Sequence, residues 1–492
     1  MNLLITAAGI FTNVNKQYIN GEWKEGGTGT KAHIVDPYDR SVLAEVVLAG
    51  REEVDEAYKS AKAAQKNWAA APAEEKVKVM ENAISILEEH QDGVIDTLVR
   101  EAGSSRLKAT IEVQAALGIM REAMTFPGRM DPVAMTSHIP GKENHIVRKP
   151  AGVVGIISPF NFPFHLSIRS IAPAIATGNT VVHKPDLQTA ISGGGIIAKI
   201  FELAGLPKGV LNVLLTTPAV IGDYFIEHPI PRVISFTGST PVGRKVGALA
   251  GQHLKKAALE LGGNNPFVVL EDADIQQAVE AAAFGAFLHQ GQICMSINRI
   301  FVPRKIHDDF TARLVEKIRS IPYGDPKEPE VIIGPLINEN QIEKFLNVVA
   351  IAKQEGAHLA LEGTRIGNII SPFVFTNVTN QSTVAQTELF GPAVSIIPYD
   401  SEEEVLELAN DTEFGLSSAV FTDDLQKGLQ FAQKIESGMT HVNDQTVNDE
   451  AEVPFGGEKS SGLGRYNGEW ALEEFTTVKW ISVQKEARQY PF

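Results

Sequence analysis

The sequence of 492 residues predicts an α/β protein with two parallel-sheet domains. The chain is longer than one hydrophobic core usually organises. Short β-branched runs alternate with segments long enough for crossover helices, and a turn-rich segment divides two such regions. Because crossover helices return the chain to the same end of a sheet, successive strands in each region are expected to run parallel.

The first region extends to about residue 260. A helical pattern runs from Arg51 to about His90, where Pro72 suits a first helical turn and apolar residues recur after it at helix spacing. β-branched runs then predict strands at 153–157, 180–182, 211–214 and 233–236.

The second region starts at residue 266. Strands are predicted at 266–270, 299–302, 394–397 and 419–421, with an Ala-rich helix from Asp274 to about Gln290. The intervening ELGGNN segment, at 260–265, is rich in turn formers and is predicted to be the hinge between the domains. Ligands of open α/β sheets bind at the carboxyl ends of the strands.

Composition and charge exclude several classes of partner. The formal net charge is −16 and the basic residues are scattered, so no nucleic-acid partner is predicted. The single cysteine, Cys294, cannot form an intramolecular disulfide, which favours a reducing, cytoplasmic location. Residues 1–11 are apolar but lack a basic start, and are interpreted as a loose tail. No membrane partner and no metal site are predicted.

Cys294 is the first candidate for chemistry. It follows the predicted Ala-rich helix, at a point where Gly291 lets the chain turn. A nucleophilic thiol needs access and a stabilised thiolate, which a turn with nearby backbone amides can provide. The alternative is an inert, buried cysteine.

Two further residues could act on the same substrate. Glu260 follows the apolar run 257–259 and precedes a glycine-rich turn, so burial would raise its pKa and make it a proton acceptor near neutral pH. A solvated loop glutamate is the alternative. Asn161 lies among rings and prolines at 159–164, where a fixed amide could stabilise an oxyanion. A turn-forming asparagine is the alternative there.

The segment 236–243 indicates an anion site. It follows a predicted strand and is expected to open a helix, whose free backbone amides favour an anion. It is neither a G-x-G-x-x-G motif nor a P-loop, because Arg244 and Lys245 follow Gly243. Lys184 ends another predicted strand, where it could bond a ribose or a phosphate; a surface lysine is the alternative.

Seven segments together resemble the aldehyde dehydrogenase superfamily, in its order and approximate spacing and over nearly the whole chain. They are PFNFP (159–163), GNTVVHKP (178–185), FTGS (236–239), LELGG (259–263), GQIC (291–294), ELFGP (388–392) and PFGG (454–457). The resemblance implies NAD(P)-dependent oxidation of an aldehyde to a carboxylic acid through a thiohemiacetal and a thioester.

The resemblance also implies an architecture. The fold would be aldehyde dehydrogenase-like, with two Rossmann-like parallel-sheet domains and a small β oligomerisation arm. Residues 1–127 and 151–260 would form the NAD(P)-binding domain, 261–455 the catalytic domain, and 128–150 with 470–492 the arm. The assembly would be a homodimer or a homotetramer.

Roles follow position by position from the same resemblance. Cys294 would be the nucleophile, Glu260 the general base, and Asn161 with the Cys294 backbone amide the oxyanion hole. The cofactor-binding residues would be Lys184 at the adenine ribose, Gly238 and Ser239 near the pyrophosphate, Glu388 and Phe390 at the nicotinamide ribose and ring, and Ser158 and Gly243.

Three positions depart from the family pattern. Leu187 stands where many NAD-preferring relatives have a glutamate that bonds the ribose and repels a 2′-phosphate. NADP is therefore expected to be tolerated beside NAD, and Asp186 could partly replace the lost contact. Phe160 replaces a frequent Trp, and Tyr466 stands where some relatives carry a second glutamate proposed to relay protons. Glu260 is thus expected to act alone.

The segments 182–189 and 440–450 look like the branch acting on aromatic aldehydes such as benzaldehyde and vanillin. Rings at Phe162 and Phe455 would suit a flat substrate. Arg169, expected on the following helix, could face the tunnel and pair with a phenol oxygen; a surface salt bridge is the alternative. The phenol role predicts that Arg169→Ala lowers kcat/KM more for hydroxylated benzaldehydes than for benzaldehyde.

Two competing functions remain open at this stage. In a CoA-acylating dehydrogenase a thiol takes the acyl group, but those relatives generally lack the base that Glu260 would supply. A non-catalytic relative is the second alternative, and the joint presence of Cys294, Glu260 and Asn161 argues against it.

Overall fold

The computed structural model describes residues 9–492. Its α-helices are α1 (Arg51–Ala70), α2 (Ala73–Glu101), α3 (Arg106–Met124), α4 (Pro163–Ala176), α5 (Ile196–Leu203), α6 (Pro218–Ile221), α7 (Tyr224–Glu227), α8 (Thr240–Gln252), α9 (Ile275–Phe287), α10 (His307–Arg319), α11 (Glu339–Gln354), α12 (Thr383–Gln386), α13 (Glu402–Asn410), α14 (Leu425–Ala432) and α15 (Gly468–Glu474).

The strands are β1 (Gln17–Ile19), β2 (Glu22–Lys24), β3 (Lys31–Val35), β4 (Val42–Val47), β5 (Val133–Thr136), β6 (Lys142–Pro150), β7 (Val153–Ile157), β8 (Thr180–Lys184), β9 (Leu211–Val213), β10 (Val233–Thr237), β11 (Lys256–Glu260), β12 (Asn265–Val269), β13 (Ile297–Pro303), β14 (His358–Leu361), β15 (Arg365–Ile366), β16 (Ile369–Ile370), β17 (Phe373–Thr376), β18 (Ala393–Tyr399), β19 (Phe414–Gly415), β20 (Ser417–Phe421), β21 (Met439–Val442), β22 (Glu458–Lys459), β23 (Gly462–Leu463) and β24 (Thr476–Gln484).

The first large sheet has the strand order β2-β1-β9-β8-β7-β10-β11-β23. Its five central strands are parallel, while β1 and β23 join them antiparallel at the two sides. The register pairs Ile157 with Lys184 and Thr237 with Glu260. The carboxyl ends of β7, β8, β10 and β11 therefore lie along one edge of this sheet.

The second large sheet has the order β14-β17-β18-β13-β12-β20-β21 and is parallel except for β14. Aliphatic and aromatic residues of its strands are buried between helices on both faces, as a parallel sheet requires. The predicted class, α/β with two parallel-sheet domains, is confirmed. Residues 261–264 connect β11 of the first sheet to β12 of the second and lie within the predicted hinge.

Strands β24, β6 and β5 form a separate three-stranded antiparallel sheet. It joins residues near 133–150 to the C-terminal segment, as the predicted arm requires. Most of β24 is exposed, including its apolar side chains. No helix within residues 9–492 is long and apolar enough to cross a membrane.

Two helical predictions need correction. The single pattern from Arg51 to about His90 is two helices, separated at Ala71 and Pro72, and the second bends at His90 and continues to Glu101. The Ala-rich helix α9 ends at Phe287, because Leu288 is extended and the next three residues adopt left-handed backbone angles.

The expected loose tail is only partly within the structure. Residues 1–8 lie outside the described residues. Phe11 is fully buried, with its ring centroid 6.1 Å from that of His90, so the tail prediction is wrong at this position. Its burial ties the beginning of the described chain to α2.

Candidate active site

The backbone before Cys294 is fixed in an uncommon conformation. His289, Gln290 and Gly291 have φ angles of 51°, 49° and 72°, in the left-handed region. The Gln290 side chain donates to the carbonyls of Gly103 and Pro335 and accepts the N–H of Gly334. These buried hydrogen bonds hold the segment and end α9, so that Cys294 lies on a turn, as predicted.

The carbonyl of Cys294 is held by the hinge. Asn265 Nδ2 donates to it at 2.9 Å, and a Cβ at Gly263 would lie 2.2 Å from the same oxygen. Only glycine permits this close approach. The hinge thus places Cys294 next to the carboxyl end of β11, where Glu260 is the last residue.

The Asn161 amide reaches the same segment. Its Nδ2 donates to the Gln292 carbonyl at 3.0 Å, and the residue is buried. An amide nitrogen carries two protons, so one remains for a second acceptor. Asn161 and Cys294 line the same cavities, which brings this donor to the thiol.

A buried ion pair holds the Asn161 loop. Lys108 Nζ donates to the Asn161 carbonyl at 2.6 Å and pairs with Glu112, and neither side chain has exposed surface. The other oxygen of Glu112 accepts the N–H groups of Phe164 and His165 at the start of α4. Helix α3 therefore clamps the backbone on both sides of the predicted oxyanion donor.

Two cavities meet at Cys294, which is partly exposed. The Glu388 cavity has a volume of about 420 Å³ and includes Phe160, Gly238, Ser239, Glu388 and Phe390 in its wall. The Phe455 cavity has a volume of about 230 Å³ and includes Phe162, Phe284, Leu288 and Phe455. Both are lined by Asn161, Leu166 and Cys294. The thiol lies where two bound molecules could meet, so the buried, inert alternative does not fit.

Glu260 ends β11 with only 1% of its surface exposed, which excludes the solvated-loop alternative. Burial raises its pKa to about 7, and the nearby Arg169 guanidinium opposes this rise. Burial also raises the pKa of the Cys294 thiol well above its usual value, and Glu260 adds to that effect. A carboxyl group that titrates near neutral pH is suited to accepting protons.

Arg169 lies on α4 and is fully buried, so the surface salt-bridge alternative is wrong. Its Nη2 lies 3.7 Å from Glu260 Oε2, and its Nη1 lies 3.8 Å from Asp449 Oδ2. His165 Nε2 lies 2.8 Å from the same Asp449 oxygen. Although burial opposes ionisation, the bond to His165 and the charge of Arg169 hold the pKa of Asp449 below its usual range.

The Glu388 cavity fits a dinucleotide cofactor. Helix α8 begins beside Gly238 and Ser239, so the N–H groups of its first turn adjoin the cavity, as predicted for an anion. Glu388 accepts the Gly263 N–H at 3.1 Å, and a carboxylate can accept further bonds from ribose hydroxyls. A Cβ at Gly262 would lie 2.5 Å from Glu388 Oε2, so glycine leaves room for this carboxylate.

Three residues of the predicted cofactor set do not line this cavity. The Ser158 hydroxyl is bonded at 2.7 Å to both Ser167 Oγ and His183 Nε2. Gly243 is buried against Leu261, and Lys184 is buried at the end of β8. Their predicted contacts stay predictions.

Sequence reasoning missed two groups of lining residues. One face of α11 borders the Glu388 cavity through Gln341, Lys344, Asn347 and Val348. His165, Asn448 and Asp449 border the Phe455 cavity. The segment 440–450 was singled out for its resemblance and could have indicated Asp449, whereas nothing in the sequence marks the α11 face.

The arrangement defines a class of protein. A partly exposed thiol with an amide donor and a buried carboxyl group, placed between two cavities, is the constellation of an enzyme that forms a covalent bond with a carbonyl substrate beside a second bound molecule. Within residues 9–492, no group of His, Cys, Asp or Glu is arranged to hold a metal ion.

Comparison with known proteins identifies the family of this chain. The model of the aldehyde dehydrogenase family matches residues 23–481. The chain is 51% identical to benzaldehyde dehydrogenase YfmT of Bacillus subtilis and 50% identical to a vanillin dehydrogenase of Corynebacterium glutamicum, each over 482 residues, 98% of this chain and 99% of the relative. The chain belongs to the aldehyde dehydrogenase family.

A crystal structure supports the same assignment. The NAD-dependent benzaldehyde dehydrogenase of Corynebacterium glutamicum matches with a TM-score of 0.89 and 46% identity, covering 97% of this chain and 98% of that one. The resemblance seen in the seven motifs is therefore confirmed over nearly the whole length.

Proposed function

We propose that this aldehyde dehydrogenase oxidises aromatic aldehydes to carboxylic acids with NAD, using Cys294 as the nucleophile. The observation that carries the proposal is the position of Cys294 at the junction of the Glu388 and Phe455 cavities. An aldehyde in one cavity and a nicotinamide in the other would meet at the thiol.

The chemistry follows from the residues around the thiol. The Cys294 thiolate adds to the aldehyde carbon, and the oxygen that becomes negative accepts a hydrogen bond from Asn161 Nδ2 and from the Cys294 N–H. A nicotinamide in the Glu388 cavity supplies the acceptor for the hydride that leaves this carbon. Glu260 then takes a proton from water, whose oxygen attacks the thioester, and the acid departs as the thiolate is released.

The Phe455 cavity favours an aromatic substrate. Its volume of about 230 Å³ and its Phe162, Phe284 and Phe455 rings suit a flat molecule of one ring. The relatives at 50 and 51% identity are named as vanillin and benzaldehyde dehydrogenases. Both observations support the aromatic branch.

NADP is proposed as a second cofactor beside NAD. Leu187 follows Asp186, whose carboxylate accepts the Gln188 N–H at 2.9 Å. With leucine at this position, no carboxylate there repels a 2′-phosphate. Steady-state kinetics with both cofactors test this, and a preference for NAD above about a thousandfold, about 4 kcal/mol, contradicts it.

The experiment for the function is an aldehyde panel with each cofactor, followed by absorbance of the reduced nicotinamide. Benzaldehyde and vanillin are expected to be oxidised and Cys294→Ala to be inactive. Addition of CoA tests the acylating alternative, because acyl-CoA then appears in place of the free acid. A panel with no oxidised aldehyde contradicts the proposal.

We also propose a homodimer or homotetramer that forms through the β5–β6–β24 sheet. Val133 and Met135 on β5 and Val478 and Trp480 on β24 are exposed apolar residues of this sheet. Mass measurement in solution tests the assembly and distinguishes the two states. The lone cysteine fits a reducing compartment, and the proposed location is the cytoplasm.

A further inference from the structure

Arg169 lies in the wall of the Phe455 cavity. The residue is fully buried, so its guanidinium has no surface accessible to solvent. In the described part of the chain, the charged groups within 4 Å of it are Glu260 and Asp449. Its position therefore points to an effect on these carboxyl groups.

The surroundings hold the guanidinium in place. Its central carbon lies 4.4 Å from the centre of the Phe455 ring and 4.7 Å from that of Tyr466. Its Nη2 donates to Thr237 Oγ1 at 3.4 Å. The Tyr466 hydroxyl in turn bonds Ser235 Oγ at 2.9 Å and donates to the Ala258 carbonyl on β11 at 3.0 Å. The tyrosine is thus tied to the strand that ends at Glu260.

We propose that Arg169 is a positioning residue for the hydrolytic step, which holds the Glu260 carboxyl group beside Cys294 and keeps it ionised. This inference rests on the proposed function. In the step, the water oxygen bonds to the thioester carbon, one water proton passes to Glu260, and the carbon–sulfur bond breaks to release the Cys294 thiolate. No oxidation or reduction takes place.

The charge balance around Glu260 explains the need for a cation. Among residues 9–492, Arg169 is the one basic side chain that forms an ion pair with Glu260. The other titratable groups that influence Glu260 or are influenced by it are the Cys294 thiol, the Glu388 and Asp449 carboxyl groups and the Tyr466 phenol. The Glu388 and Asp449 carboxylates favour the protonated form of Glu260, whereas a hydrogen bond with the Cys294 thiol favours the ionised form. None of these groups carries a positive charge.

The test measures hydrolysis separately from oxidation. The acyl-enzyme is formed from benzaldehyde and NAD at one pH, mixed rapidly into a second buffer, and benzoate release is followed across a pH series. In Arg169→Met, the pH midpoint of benzoate release is expected to rise by about 1 to 3 pH units, because the positive charge that stabilises ionised Glu260 is lost. The rate at neutral pH falls by about 10- to 1,000-fold and recovers at high pH.

Two more variants separate this effect from a structural one. Arg169→Lys keeps the positive charge, so its pH midpoint is expected to lie close to that of the unmodified enzyme. Asp449→Asn removes a negative charge that opposes ionisation of Glu260, so its midpoint is expected to fall. This opposite direction does not depend on whether Arg169→Met folds. Arg304→Met removes an exposed arginine that pairs with Asp400, and is the control with an unchanged midpoint.

The outcomes are distinct. Unchanged midpoints in Asp449→Asn and in a folded Arg169→Met overturn the inference. A loss confined to hydroxylated benzaldehydes overturns it as well and supports the phenol contact predicted from the sequence. If the unmodified enzyme forms no acyl-enzyme, the proposed function itself fails.

Discussion

At the scale of single residues, Cys294 and Glu260 are acidic groups that burial makes harder to ionise. Each proton that leaves them creates a charge in a site with little water, and the fixed donors and cations nearby must stabilise it. In the proposed mechanism Asn161 supplies a neutral donor at the substrate oxygen, and Arg169 supplies the positive charge near Glu260.

The role of Asn161 gives the first prediction. Asn161→Ala is expected to lower kcat by about 100- to 1,000-fold, because one oxyanion donor is lost. Steady-state kinetics with benzaldehyde measure the change. Asn15→Ala removes an amide that donates to the Glu45 carbonyl and serves as the control. A loss below about tenfold, near 1.4 kcal/mol, would show that the amide does not hold the oxyanion.

At the scale of elements, strand ends of the first sheet and the end of one helix position the reactive groups. β7, β8, β10 and β11 end at the same sheet edge, and α9 ends before Cys294. Helix α3 contributes Lys108 and Glu112, whose hydrogen bonds hold the backbone on both sides of the Asn161 loop. The position of each reactive group thus depends on contacts between elements that are distant in sequence.

The buried Lys108–Glu112 pair gives the second prediction. Lys108→Met is expected to destabilise the fold by about 3 to 5 kcal/mol, because Glu112 is left buried without its partner. It should also lower kcat, since the Asn161 carbonyl loses its donor. Denaturant unfolding and kinetics measure the two effects.

The double variant Lys108→Met/Glu112→Leu separates the effect on stability from the effect on kcat. It is expected to regain part of the stability, because no unpaired buried charge remains, while kcat stays low. Recovery of kcat together with stability would mean that the pair acts on the fold alone.

Local patterns predicted much of this architecture. β-branched runs predicted the strands that end at Ile157, Lys184 and Thr237, and short motifs around Cys294 indicated the candidate chemistry. These features depend on neighbours in sequence, which is why they could be predicted.

Contacts across the chain could not be predicted in the same way. The partners of Arg169 are 91 and 280 residues away, at Glu260 and Asp449. The orientation of the Ser158 hydroxyl depends on its hydrogen bonds with Ser167 and His183. The left-handed angles that end α9 depend on hydrogen bonds from Gln290 to two other segments. Only the packing of the whole fold determines such contacts.

At the scale of the whole molecule, ionisation of a buried acid in the site lowers the stability of the fold as pH rises. Burial raises the pKa of Glu388 from 4.5 to about 7, so the folded chain holds this proton more tightly than the unfolded chain. The stabilisation is complete below pH 4.5 and is lost as pH rises through about 7. Its size is up to about 3 kcal/mol.

The corresponding prediction concerns Glu388→Gln. The stability of this variant relative to the unmodified chain is expected to increase between pH 5 and pH 8, because glutamine does not ionise. Unfolding midpoints at a series of pH values measure the difference. If the difference is the same at every pH, the Glu388 carboxyl group does not carry a raised pKa in the folded chain.

The covalent intermediate on Cys294 is the central claim. Glu260→Gln keeps the size of the side chain but removes the base, so benzaldehyde and NAD are expected to leave a benzoyl group on the enzyme. Mass spectrometry of the peptide that contains Cys294 should show the added acyl mass together with one reduced nicotinamide per site. Full turnover of benzaldehyde by Cys294→Ala would contradict the account.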